Sequence, residues 1–142
     1  MPNVQSLSHE HEAIMTVASD LLHEVSAAQF DLEAIARLRW RLAHQLAVHL
    51  AQEDRIVYPR LKRSGDRRLA YLANVFESEM GGLAADYRAY MAAWSAPAIT
   101  EDPCGFARAT HHVMALLERR VMREETELYP LVPRAEPAEI GR

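Results

Sequence analysis

Apolar side chains recur at three- and four-residue steps along most of the chain, the period that lines one face of an α-helix. Ile14, Val17, Ala18, Leu21, Leu22 and Val25 follow that step, and predict a first helix over about 7–28. Ser6 or Ser8 can cap its start, and Glu10 and Glu12 in its first turn suit the helix dipole. Ile35, Leu38, Leu42, Leu46, Leu50 and Val57 predict a second helix over about 32–63, capped by Asp31. Ser64-Gly65-Asp66 is the clearest break. A third helix is expected over about 66–94, with the pair Gly81-Gly82 inside it. Two such glycines cost about 1 kcal/mol each relative to alanine, so a kink or close packing is expected there. Pro97 to Gly105 is expected as a loop, about 105–130 as a fourth helix, and 131–142, with Pro133 and Pro137, as a tail. No Val/Ile/Thr alternation predicts strands. Four long amphipathic helices with short links predict an all-α fold, an antiparallel up-down-up-down four-helix bundle formed by residues 1–142 as one domain.

Composition narrows the class. A net charge of −4, from 16 basic and 20 acidic side chains, argues against a dedicated nucleic-acid binder. No apolar run is long enough to predict a membrane span, and no leader pattern opens the chain, so a cytoplasmic protein is expected. The single cysteine, Cys104, cannot form an internal disulfide. Arg55, Arg60, Lys62, Arg63, Arg67 and Arg68 crowd the second inter-helix turn. That cluster reads first as a solvated loop and second as a docking patch for an acidic protein surface.

The chain also repeats itself. His49-Leu50-Ala51-Gln52-Glu53-Asp54-Arg55-Ile56-Val57-Tyr58-Pro59 returns 71 residues later as Arg120-Val121-Met122-Arg123-Glu124-Glu125-Thr126-Glu127-Leu128-Tyr129-Pro130. Both copies carry two adjacent acids and an apolar-Tyr-Pro exit. His49 and Glu53 are one turn apart on one helix face, where bundle proteins place metal ligands. A hairpin of the first two helices would bring His11 to the same end, and the repeat would bring Glu124 or Glu125 there. Two imidazoles and two carboxylates suit iron, manganese or zinc. The bland alternatives are a surface pair between His49 and Glu53 and a solvated acidic face at Glu124 and Glu125. Tyr58 and Tyr129 are expected to close the end of the bundle with their hydroxyls on polar partners.

With Leu7-Ser8-His9-Glu10-His11-Glu12-Ala13-Ile14, these segments resemble the hemerythrin family, in particular its bacterial HHE cation-binding branch. The resemblance implies a hemerythrin-type bundle and a di-iron centre. In the family a histidine comes from the first helix and His-x-x-x-Glu from the second. The third helix adds further histidines, and the fourth a histidine followed by a carboxylate. His11, His49, Glu53 and Glu124 or Glu125 match that pattern. Met80 and Arg120 stand at histidine positions of the third and fourth helices. The half of the site that holds one iron is thus kept, and the half that holds the other is lost. Arg120 is expected to turn inward and pair with Glu53, Glu124 or Glu79, standing where the second cation would be. Met80 would fill the vacated volume.

Three functions follow as expectations. The first is a cation-binding protein holding one iron, rather than a di-iron centre, for binding or sensing a small diatomic ligand such as dioxygen or nitric oxide. The second is a metal-free regulatory or protein-interaction module in which Arg120 ion pairs replace metal. The third and weakest is a non-haem iron enzyme. A homodimer is an assembly that close contact at Gly81-Gly82 would permit.

Overall fold

The computed structural model describes residues 3–132. The expected tail beyond Val132 lies outside the described residues. Those that are described are helical with short connections, and no strand occurs among them. The elements are α1 (Val4–Val25), α2 (Leu32–Gln52), α3 (Tyr58–Lys62), α4 (Arg67–Met80), α5 (Leu83–Ala93), α6 (Ala96–Glu101) and α7 (Pro103–Arg123). A π-helical turn, Glu53–Val57, joins α2 to α3, and a second, Glu124–Leu128, follows α7 and leads into a 3-10 turn at Tyr129–Leu131.

Local chemistry sets the ends. Asn3, not Ser6 or Ser8, caps α1, accepting from the Ser6 N–H at 2.7 Å. Asp31 caps α2 as its sequence position suggests, accepting from Ala34 N–H at 3.1 Å. The expected third helix is two. Gly81 closes α4 with its N–H on the Glu77 carbonyl at 2.9 Å, and α5 restarts at Leu83. The stretch expected as a loop after Pro97 contains α6, because Ser95 caps it and Pro97 fits a first turn, where no N–H is needed. Asp102 then caps α7, accepting from Gly105 N–H at 2.9 Å.

α1 packs on α2 and α7, and α5 packs on α2 and α7, so four long elements enclose the interior. Two apolar clusters fill it. The larger runs from Ile14 and Leu50 through Leu21, Leu42, Tyr90 and Phe106. The smaller gathers Leu7, Val57, Tyr58, Phe76, Met80, Leu128 and Tyr129 at the other end. His11 lies between Leu7 of the small cluster and Ile14 of the large one, and the buried polar residues His11, His49, Glu53, Arg120 and Glu124 occupy this junction.

At the end away from that junction Arg39 replaces apolar packing with a clamp. It is 6 % exposed, donates to the Trp94 carbonyl at 2.8 Å, and lies 4.7 Å from the Tyr90 ring centroid. Free carbonyls at the end of α5 thereby gain a donor, as helix C-termini require. Among the described residues, no helix is long and apolar enough to cross a membrane.

Candidate metal centre

Four ligand atoms, one each from His11, His49, Glu53 and Glu124, lie within 4.8 Å of one another, and all four residues are buried. His11 Nε2 is 3.1 Å from Glu124 Oε1, and His49 Nε2 is 3.3 Å from Glu53 Oε1. The imidazole edges turned away from the cluster are held by two further acids. Glu10 Oε1 is 2.6 Å from His49 Nδ1, and Glu125 Oε2 is 2.6 Å from His11 Nδ1. A carboxylate on Nδ1 fixes the proton there and leaves the Nε2 lone pair facing inward, the arrangement of metal-bound histidines. Ser8 donates from Oγ to Glu125 Oε1 at 2.9 Å and holds that acid in place.

Glu125, a candidate ligand by sequence, is therefore not in the cluster. It stands behind the His11 ring with a side chain 36 % exposed, because the adjacent Glu124 takes the inward position. Glu10 looked like a first-turn acid; no spacing rule ties it to His49, which is 39 residues away.

Arg120 is 1 % exposed. Its guanidinium donates to Glu53 Oε1 at 3.1 Å, Asp54 Oδ1 at 2.7 Å, Glu124 Oε2 at 3.2 Å and the Met80 carbonyl at 3.1 Å. Glu79 is not among its partners; it pairs with Arg119 and Arg123 at the surface, each at 2.9 Å. The Met80 carbonyl is free to accept because the helix breaks at Gly81. Met80 itself is buried in the small apolar cluster.

The tyrosines of both Tyr-Pro exits reach the carboxylates. Tyr58 donates to Glu124 Oε2 at 2.5 Å, and Tyr129 donates to Glu53 Oε2. The π turns explain how. Proline offers no N–H and its ring crowds the carbonyl four residues back. The backbone widens ahead of Pro59 and Pro130, and the N–H groups of Tyr58 and Tyr129 bond to the carbonyls of Glu53 and Glu124, five residues back. Each tyrosine thereby turns inward, where its hydroxyl meets the acid of the other repeat copy. Single π turns of this kind recur at functional sites.

Burial and neighbours pull the ionisable groups apart. Burial alone would lower the His49 imidazole, but the Glu53 carboxylate beside Nε2, with Glu10 on Nδ1, raises it to about 9. Burial likewise opposes charging of His11, and Glu124 outweighs it, so His11 is raised too. Burial and the charge of Glu53 raise Glu124, while Glu53, against its own burial, is lowered by His49 and Arg120.

These donors fit a cation. His49 Nε2 is buried and lies 3.3 Å from Glu53 Oε1 without hydrogen-bond geometry to it, an inward nitrogen that a cation would claim in exchange for its proton. The other histidines, His9, His23, His44, His111 and His112, are exposed and take no part.

The fold and this cluster define a helical protein with a buried histidine–carboxylate group of the kind that could hold a metal ion. Residues 3–132 match the hemerythrin HHE cation binding domain, and the chain belongs to that family. No curated protein and no solved structure matches it.

Proposed function

We propose that this protein binds one iron ion at His11, His49, Glu53 and Glu124 and uses it to bind or sense a small diatomic ligand, dioxygen or nitric oxide. The observation that carries this is the pair of imidazoles whose Nδ1 atoms are held by Glu10 and Glu125 while His49 Nε2 has no hydrogen-bond partner. Bound iron would supply an open coordination position for the ligand. Glu10 and Glu125 orient the imidazoles, Arg120 offsets one carboxylate charge, and the two apolar clusters keep water from the site. Met80 at the end of α4 and Arg120 on α7 stand where the family resemblance would place the histidines of a second metal, which argues for one ion. Contacts between the start of α1 and the ends of α2 and α7, and of Arg39 on α2 with the end of α5, support an up-down-up-down antiparallel bundle.

A second reading has its own support. Tyr58, Tyr129 and Arg120 already give every oxygen of Glu53 and Glu124 a donor or a close neighbour, so a metal-free interaction module held by ion pairs is consistent with the same site. The protein partner it would need suits the basic turn around Arg63 and Arg67. In either case a soluble cytoplasmic protein, able to self-associate, is proposed.

Elemental analysis separates the two. Chelator-stripped protein is titrated with Fe(II) without oxygen. One iron per chain, lost in His49→Ala, is expected. Wild-type protein that takes up none would overturn the iron reading and support the metal-free module.

A further inference from the structure

The two phenols at the carboxylates are not equivalent. Tyr58 shares Glu124 Oε2 with Arg120 Nε, and the Arg120 guanidinium carbon lies 5.4 Å from the Tyr58 ring centroid. Tyr58 is thus on the arginine side. Tyr129 faces the imidazoles. Its ring stacks on His11, centroids 5.4 Å apart and planes 7° from parallel. Its hydroxyl donates to Glu53 Oε2. The same oxygen lies 3.4 Å from His11 Nε2 and 3.5 Å from Glu124 Oε1. One phenolic oxygen therefore neighbours three of the four residues in the cluster.

Arg120 makes that position consequential. It bonds Glu53 Oε1 and Glu124 Oε2. The carboxylate oxygens it leaves are Glu53 Oε2 and Glu124 Oε1, and these are the two beside the Tyr129 hydroxyl. Metal–ligand bonds of about 2.0–2.2 Å place adjacent donors roughly 3 Å apart. The phenolic oxygen stands at about that spacing from its neighbours. Four protein donors leave iron with positions to fill, because α4 and α7 supply Met80 and Arg120 in place of imidazoles. Iron(III) is a hard ion that accepts oxygen donors, and the phenolic oxygen beside the two carboxylate oxygens that Arg120 leaves is that of Tyr129.

We infer that the Tyr129 hydroxyl oxygen is a fifth ligand atom for iron in this centre, set among His11 Nε2, Glu53 Oε2 and Glu124 Oε1. This rests on the metal-binding function proposed above. On binding, the phenolic O–H bond breaks, an O–Fe bond forms, and the proton is released to solvent. Tyr58 does not ligate, because the fixed charge of Arg120 lies against it.

The test uses the full chain. Stripped protein is loaded with Fe(II) without oxygen and oxidised with ferricyanide, which takes one electron from each iron. Iron content, visible absorption and resonance Raman spectra are then recorded. A broad phenolate-to-iron(III) charge-transfer band is expected, with tyrosine ring modes that shift when the protein is grown on ring-deuterated tyrosine. Tyr58→Phe keeps the band. Tyr129→Phe loses it and retains iron. Iron without the band in wild-type or Tyr58→Phe protein overturns the fifth ligand and leaves metal binding intact, as does a band that survives Tyr129→Phe. Wild-type protein that binds no iron overturns both. The wild-type and Tyr58→Phe spectra decide the matter even if Tyr129→Phe fails to fold.

Discussion

Glu53 and Glu124 bring two carboxylates into a dry junction, and their neighbours divide the labour of neutralising them. Arg120 does so permanently, since a guanidinium keeps its charge at any working pH. The imidazoles do so conditionally. His49, raised to about 9 in the folded chain from an ordinary 6.5, binds its proton more tightly when folded. The stability it contributes is fully present below about 6.5 and is lost as pH rises through about 9, a change of the order of 3 kcal/mol. Metal-free protein should therefore show its urea midpoint fall between pH 6.5 and 9, and His49→Gln should flatten the profile. A wild-type midpoint that holds steady or rises over that range would contradict it. At this scale the sequence was half legible. His49 and Glu53 stood out by the spacing of one turn, Glu124 or Glu125 by the internal repeat, and His11 by the hairpin that brings the start of the first helix to the same end. Glu10, Glu125 and Asp54 did not reveal their partners, because the groups they touch come from other helices.

Two irregular elements position the site. The π turns were hidden in the sequence, although the Tyr-Pro exits that cause them were plain, because a pattern read at 3.6 residues per turn places the fifth residue on a different face. The break between α4 and α5 was legible as a glycine pair but not as a full stop. Its use emerges only with α7 in place, when Arg120 takes the Met80 carbonyl. The two glycines differ. A Cβ at Gly81 would come within 2.4 Å of the Glu77 carbonyl oxygen, so the backbone would have to move. At Gly82 the nearest atom would be Asp86 Oδ2 at 3.9 Å. Gly81→Ala should lower stability by about 1–3 kcal/mol in chemical denaturation, and Gly82→Ala by less than about 1 kcal/mol. Equal effects would show that the close approach at Gly81 carries no weight. α6 was missed because its six residues are too few to establish a period.

Across the whole molecule, the ends of α2 and α7 converge on the start of α1, so the two copies of the repeat face each other with His49 opposite Arg120. If Arg120 and Met80 stand where a second metal would be, Met80→His combined with Arg120→His should raise iron uptake above that of wild type, measured as iron per chain. Unchanged stoichiometry would show that these positions do not form the missing half. Arg120 is held in a setting where removing one partner of a buried pair is costly, about 3–5 kcal/mol in comparable cases. The sequence by itself determined the helical class, the family and a short set of candidate ligands, His11, His49, Glu53 and one of the acids Glu124 or Glu125, because helix periodicity, a repeat and family motifs are local patterns along one chain. Which acid turns inward at 124 or 125, what holds the back of each imidazole, and where Arg120 and Tyr129 point were decided only by tertiary structure. Those are contacts between groups 39 to 118 residues apart, and only the packed bundle brings them within reach.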